Sequence, residues 1–241
     1  GYIAEKLGFK KIQLVYAKYG AGLESTASFK EGFIAAGGTI VGPDVTPPFP
    51  NNGDQTPFVQ AIKVDQIDGV YCFFSGTDAV TFLKKANELG TLKKLKVVAG
   101  SGFFVEQDVL QAITSAAPLG AITGLHWALT LQNKENQDFV AKYAKKFDNR
   151  QADVFAVQGF DTGRVIAEAL NAVKGKTDNK EGFLKAISAV SFKSPRGDFK
   201  FDPNTNNVVH TVYVRKVVND AKLGWTNQVI DQYPGVADPG K

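Results

Sequence analysis

The chain has 241 residues, 26.0 kDa, 44% hydrophobic and 22% charged, with 28 basic against 24 acidic side chains. So apolar and evenly charged a chain can offset its ordering entropy, which excludes disorder, and no run of about 18 or more apolar residues could form a membrane-spanning helix. The net charge of +4 is scattered over pairs such as Lys10-Lys11, Lys84-Lys85, Lys93-Lys94 and Lys145-Lys146, which read as solvated helix ends and exclude a clustered nucleic-acid stripe.

Ile12 to Ala17 is a continuous apolar run suited to a buried parallel strand. A helix over Leu23–Ala36 follows, with Phe29, Phe33 and Ile34 expected on its inner face and Gly37-Gly38 as its stop. Thr39–Val41 opens a second strand, and the Pro/Asn-rich stretch 42–53 reads as a surface loop. A helix over Thr56–Val64 takes Thr56 as N-cap and Pro57 in its first turn. Gly69–Phe74 is a third strand, Thr77–Leu89 its helix, and Lys96–Ala99 a fourth strand ending in Gly100-Ser101-Gly102. Val105–Ile113 reads as a helix and Gly120–Leu125 as a fifth strand. This alternation is the signature of a parallel α/β sheet with right-handed crossovers.

After Trp127 the pattern changes. Glu135–Phe147, Val154–Val173 and Glu181–Ala189 read as three helices with no strand between them. Phe192–Phe201 reads as a hairpin turning at Pro195-Arg-Gly197, Val208–Val218 as a long strand, Val229-Ile230 as an edge and Pro234–Lys241 as a frayed tail. The helices need a surface that residues 1–125 do not leave them. The chain therefore reads as one α/β lobe plus helices of a second, incomplete lobe.

Cys72 is the only cysteine, so an intrachain disulfide and a cysteine metal cage are excluded. It lies in a buried strand, where a thiol is inert packing. No methionine occurs, even at position 1, and the chain reads as lacking an upstream segment.

Gly20-Ala-Gly22-Leu-Glu-Ser25 after a strand, with Asp44 beyond the next strand, approaches a dinucleotide fingerprint. It departs at Ser25, where the third glycine belongs, and at Lys18-Tyr19, which separate the strand from the first glycine. A nicotinamide-dependent dehydrogenase is accordingly the weakest of the readings. His126 and His210 lack the carboxylate spacing of a metal site, and no G-x-S-x-G elbow occurs. No enzyme activity, cofactor or metal is expected.

Strand ends rich in glycine and hydroxyls remain. Tyr19-Gly20, Ser75-Gly76-Thr77 and Ser101-Gly102 all fall at carboxyl ends of parallel strands, before helix N-termini that favour anions. That edge of an open α/β sheet is where ligands bind. Phe73, Phe74 and Phe103 flank it, with Phe104 beside them. Each glycine alone is explained by turn chemistry; three such ends on one rim point to a ligand site.

The same residues carry a family resemblance. Gly8-Phe-Lys-Lys-Ile-Gln-Leu-Val-Tyr-Ala-Lys-Tyr-Gly-Ala-Gly22, Asp68-Gly-Val-Tyr-Cys-Phe-Phe-Ser-Gly-Thr-Asp-Ala-Val80, Phe155–Asp161, Ser194–Pro203 and Val212–Lys216 resemble, in order, the type I periplasmic substrate-binding proteins of ABC importers, the leucine/isoleucine/valine-binding group. The resemblance implies two lobes closing on a small solute, ABC permease subunits as membrane partners, and a periplasmic or lipid-anchored extracytoplasmic location. It implies that 1–124 with 191–241 form the family's second lobe. Residues 125–190 would return to a first lobe whose N-terminal segment precedes Gly1.

Amino-acid-binding relatives place an acid after the fourth strand to hold the ammonium, where this chain reads Gly100-Ser101-Gly102. The Ser75–Ala79, Val157–Asp161 and Ser194–Gly197 forms resemble the branch that binds aromatic acids, and Phe73, Phe74, Phe103 and Trp127 suit a ring. A small aromatic carboxylate is expected. A branched-chain or other amino acid and a cytosolic ligand-sensing regulator are the alternatives. Arg196 reads as a brace or as a carboxylate clamp, and Asp161 as a first-turn carboxylate on a helix dipole.

Overall fold

The structure, a computed structural model, describes residues 1–51, 53–113, 115 and 118–238. It divides into two compact units, Gly1–Leu125 with Arg215–Gln228, and His126–Val214 with Val229–Lys241. The chain passes between them at residues 125/126, 214/215 and 228/229. The expected grouping of all of 191–241 with the first unit therefore does not describe the contacts: residues 191–214 and 229–241 belong with the helices.

Unit one opens with a short helix the sequence did not signal, α1 (Tyr2–Glu5), and continues β1 (Lys11–Tyr16), α2 (Gly20–Ala35), β2 (Thr39–Ile40), α3 (Thr56–Gln60), β3 (Gly69–Phe73), α4 (Gly76–Glu88), β4 (Val97–Ser101), α5 (Gln107–Ile113) and β5 (Ile122–Leu125). These strands lie in the order β2-β1-β3-β4-β5, with parallel pairing such as Val15 to Cys72 and Cys72 to Gly100. Parallel strands buried on both faces should be apolar throughout, and β3 is; β1 departs at exposed Lys11 and at buried Gln13, whose side-chain amide donates to the Pro43 carbonyl and accepts the Lys63 amide. Val15, Ala17, Val70, Cys72 and Phe74 enter one core with α4 and α5 residues such as Phe82 and Leu110. Leu14, Tyr16, Tyr71 and Phe73 face the opposite side with Phe29 of α2.

Several boundaries move for local reasons. The N-cap of α3 is Gln55, not Thr56, whose amide and hydroxyl both donate to Asp54. The helix expected over Val105–Ile113 is a 3-10 turn, Gly102–Val105, then α5, with an extended Glu106 between them. On α2 only Phe33 of the expected inner residues is fully buried; Phe29 is half-buried and Ile34 exposed.

Unit two contains α6 (Lys134–Lys146), α7 (Val154–Ala172), α8 (Lys180–Ser188), and the hairpin β6 (Ser191–Ser194) and β7 (Gly197–Phe201). Val190 and Phe199 pack with Val165 and Ala169 of α7 and Phe183 of α8, which is why the hairpin groups with the helices. The last strands, β8 (Val208–Asp220) and β9 (Gly224–Val236), pair with each other, and each contributes to both units. β9 is far longer than the Val229-Ile230 edge expected, and Pro234–Val236 are strand, not frayed tail. Residues 239–241 of that tail lie outside the described residues. No helix among the described residues is long and apolar enough to cross a membrane.

Candidate functional site

Because β1, β3 and β4 run parallel, their carboxyl ends open on one rim of unit one. Tyr19 is the N-cap of α2, Ser75 the N-cap of α4, and Ser101 leads into the 3-10 turn. None of the three caps its helix through its side chain. In unit two, by contrast, Asn133, Asp153 and Asn179 each accept a backbone N–H at the start of α6, α7 and α8. The rim thus presents the positive ends of two long helices without a side-chain acceptor on their first amides, an arrangement that favours an anion.

Aromatic rings line the same rim. Tyr19 and Phe103 pack against the buried cluster of Leu14, Tyr16 and Phe73, and the rings of Tyr19 and Phe73 are 6.0 Å apart. At the end of β4 the Ser101 hydroxyl is buried and has no hydrogen-bond partner. A buried hydroxyl left unmatched costs free energy, so its retention at a rim of donors is informative. Gly20 and Thr77 are exposed and Ser75 and Gly76 half-buried on this edge, with φ +50° at Gly76 supplying the turn into α4.

Three expected site residues have packing partners of their own. Phe74 is neighbour to Phe73 in sequence and opposite to it in space, as strand alternation requires. It stacks on Phe82 at 4.5 Å in the other core. Gly102 is pressed against Leu125, where a Cβ would lie 2.5 Å from the leucine Cβ, and its carbonyl accepts Arg215 at 2.9 Å. Trp127 belongs to unit two, is fully buried, and donates its indole N–H to Asn136 at 2.7 Å.

The other sequence candidates are also occupied within the fold. Asp44 accepts the Tyr16 hydroxyl at 2.9 Å, and Ser25 bonds the Tyr71 hydroxyl at 2.8 Å. Burial and then Asp44 push the Tyr16 phenol up. Gly22 is required by packing, since a Cβ there would meet the Ala17 carbonyl at 2.1 Å. Asp161 lies in the middle of α7, not its first turn; it is buried and receives Arg196 at 2.7 Å and the Ser194 hydroxyl at 2.8 Å. Burial raises its pKa, opposed by Ser194 and Arg196. Arg196 is therefore a brace within unit two. His126 and His210 face each other at 5.1 Å between ring centroids, and burial, then Arg196, lowers the His210 pKa. Cys72 is fully buried, which raises its thiol pKa. Among the described residues no group of three or more metal-ligating side chains forms.

Two features were missed in the sequence. Arg215 and Glu106 form a buried ion pair at 2.7 Å beneath the rim, and Arg215 also reaches the Thr123 hydroxyl at 3.3 Å. The only signal was the Arg215-Lys216 pair set between the apolar residues Val212–Val214 and Val217-Val218 of β8. Phe49 stacks on Tyr19 at 4.1 Å and 18° between planes, from a loop whose Pro-rich composition gave no sign of it. Unit two additionally carries a groove of about 760 Å³, lined by Phe139, Tyr143, Phe147, Phe155 and Phe160 with Lys142 and Arg164 at its edge.

Residues 1–222 match the family described as periplasmic binding protein. The chain belongs to that family. It is 29% identical over 240 residues to Leu/Ile/Val-binding protein homolog 6 of Brucella melitensis biotype 1, covering 99% of this chain and 60% of that protein. It is also similar to an ABC transporter substrate-binding protein from Sphaerobacter thermophilus, with TM-score 0.88, 34% identity and coverage of 97% of this chain and 63% of that one. A solute-binding protein of an ABC transporter from R. palustris, in complex with benzoate, superposes with TM-score 0.89 and 33% identity, covering 98% of this chain and 62% of that one. The chain thus spans about 60% of the length of these relatives.

The fold is that of the type I periplasmic binding proteins, as the motifs implied. These relatives are solute-binding proteins and not enzymes, which sets the dehydrogenase reading aside.

Proposed function

We propose that the protein is the extracytoplasmic solute receptor of an ABC importer, and that its solute is a small aromatic carboxylate. The observation that carries this is the rim of unit one. There the N-termini of α2 and α4 lack side-chain caps, the buried Ser101 hydroxyl lacks a partner, and Tyr19, Phe73 and Phe103 supply rings. Dipoles and hydroxyl suit a carboxylate, and the rings suit a flat apolar body. The Gly100-Ser101-Gly102 turn offers no carboxylate to hold an ammonium group, which disfavours an amino acid.

The relatives support this reading: similar solute-binding proteins were solved with benzoate and, from Rhodopseudomonas palustris BisB5, with 3,4-dihydroxy benzoic acid. Solute held by a two-lobed receptor promotes hinge closure, and the closed form engages membrane permease subunits. The groove on α6 and α7 takes a further part of the protein, since Phe147, Phe155 and Phe160 stay 41 to 50% exposed in this chain.

Native mass spectrometry of the protein isolated from its own cells tests this. The expected result is a species heavier than 26.0 kDa that releases a small aromatic acid on activation. Release of a branched-chain amino acid instead would overturn the choice of solute.

A further inference from the structure

We infer that Phe49 is a specificity-determining residue of the solute site, forming with Tyr19 an aromatic shelf that selects planar rings over saturated ones. The inference rests on the solute reading above and adds a residue and a selectivity to it.

Phe49 is 46% exposed, yet its place is fixed from several sides. The segment leading to it runs along the end of β1, with Val15 bridged to Val45 and Lys18 to Pro48 in parallel register. The Tyr16 amide donates to the Val45 carbonyl at 2.9 Å and the Lys18 amide to the Pro47 carbonyl at 2.8 Å. Beyond the ring, the Asn51 amide donates to both carboxylate oxygens of Asp78, at 3.4 and 3.3 Å, in the first turn of α4. Pro47, Pro48 and Pro50 restrict the backbone on either side. The loop therefore spans from the end of β1 to the start of α4, the two strand-to-helix turns that frame the rim, and holds Phe49 over it.

An aromatic ring stacked at 4.1 Å and immobilised in this way loses little further freedom when a ligand packs on it. Its exposed area is apolar surface awaiting cover, and offset stacking favours a π-system over an aliphatic ring of similar size. Tyr19 couples the shelf to Phe73 behind it.

The test compares benzoate with cyclohexanecarboxylate by calorimetric titration of the intact receptor, for the unaltered protein, Phe49→Ala and Phe49→Tyr. Phe49→Ala is expected to weaken benzoate roughly tenfold and cyclohexanecarboxylate much less, so that the preference for the aromatic ring collapses. Phe49→Tyr is expected to keep that preference. A ratio of affinities does not respond to the fraction of folded protein, so instability of a variant cannot imitate the effect. Equal weakening of both ligands, or of neither, overturns the shelf while leaving the solute reading intact. Failure of the unaltered protein to bind benzoate overturns the solute reading and the shelf with it.

Discussion

Arg215 of β8 and Glu106 before α5, 109 residues apart in sequence, form a fully buried ion pair of 2.7 Å in unit one. The same guanidinium donates to the Gly102 carbonyl at 2.9 Å, so the pair ties the C-terminal strand to the turn that displays Ser101 and Phe103. Removing one partner strands a charge in the core. Arg215→Met is expected to destabilise by about 3–5 kcal/mol in urea unfolding, and the double variant Arg215→Met, Glu106→Leu by less than the sum of the single changes. Additive losses would show that the two charges do not depend on each other.

Ser101 separates binding from stability. Its buried hydroxyl makes no hydrogen bond within the protein, so Ser101→Ala should not destabilise the protein and is expected to stabilise it by up to about 1 kcal/mol. Ser101→Glu should abolish benzoate binding by placing a second negative charge where the carboxylate is held. A Ser101→Glu variant that binds benzoate normally would take Ser101 out of the site.

Phe73 has two roles. Only 5% exposed, it fills the cluster formed with Leu14 and Tyr16, so Phe73→Ala should cost about 3–5 kcal/mol in unfolding free energy. Solute affinity should fall as well, because the ring that backs Tyr19 is lost, read by titration below the melting transition. A stability loss below about 1 kcal/mol would contradict the buried placement.

The parallel sheet was legible because its strands are mostly apolar, with Gln13 an exception inside β1, and glycines end its helices, as at Gly37 and Gly90. The strand ends with Tyr19, Ser75 and Ser101 were legible as helix starts for the same reason. Which neighbour faces the rim was not. Phe73 and Phe74 look alike in a strand buried on both faces, because only an alternating strand reveals its sides. The bonds of Trp127 and Asp161 to Asn136 and Arg196 were not legible because they are fixed by tertiary contacts. The split of β8 and β9 between two units leaves no mark, since a long strand reads the same whichever core it serves.

His210 predicts an acid sensitivity. Burial, then the Arg196 charge, holds its imidazole below the ordinary value of 6.5, and its Nδ1 is buried without a partner beside the His126 ring. As pH falls below about 6.5 the unfolded chain takes up the proton first, so stability drops until the folded imidazole also titrates. The dependence fades over about one pH unit above that value, where both states are deprotonated. Melting temperatures between pH 7.5 and 5.5 should fall with acid in the unaltered protein and fall less in His210→Asn. Parallel curves would assign the acid sensitivity to other groups.

The most direct measurement is calorimetric titration of the intact receptor with benzoate and, separately, with leucine. The rim of uncapped helix ends, aromatic rings and a partnerless hydroxyl predicts saturable one-to-one binding of benzoate and no measurable heat from leucine. Tight binding of leucine with none of benzoate would contradict it.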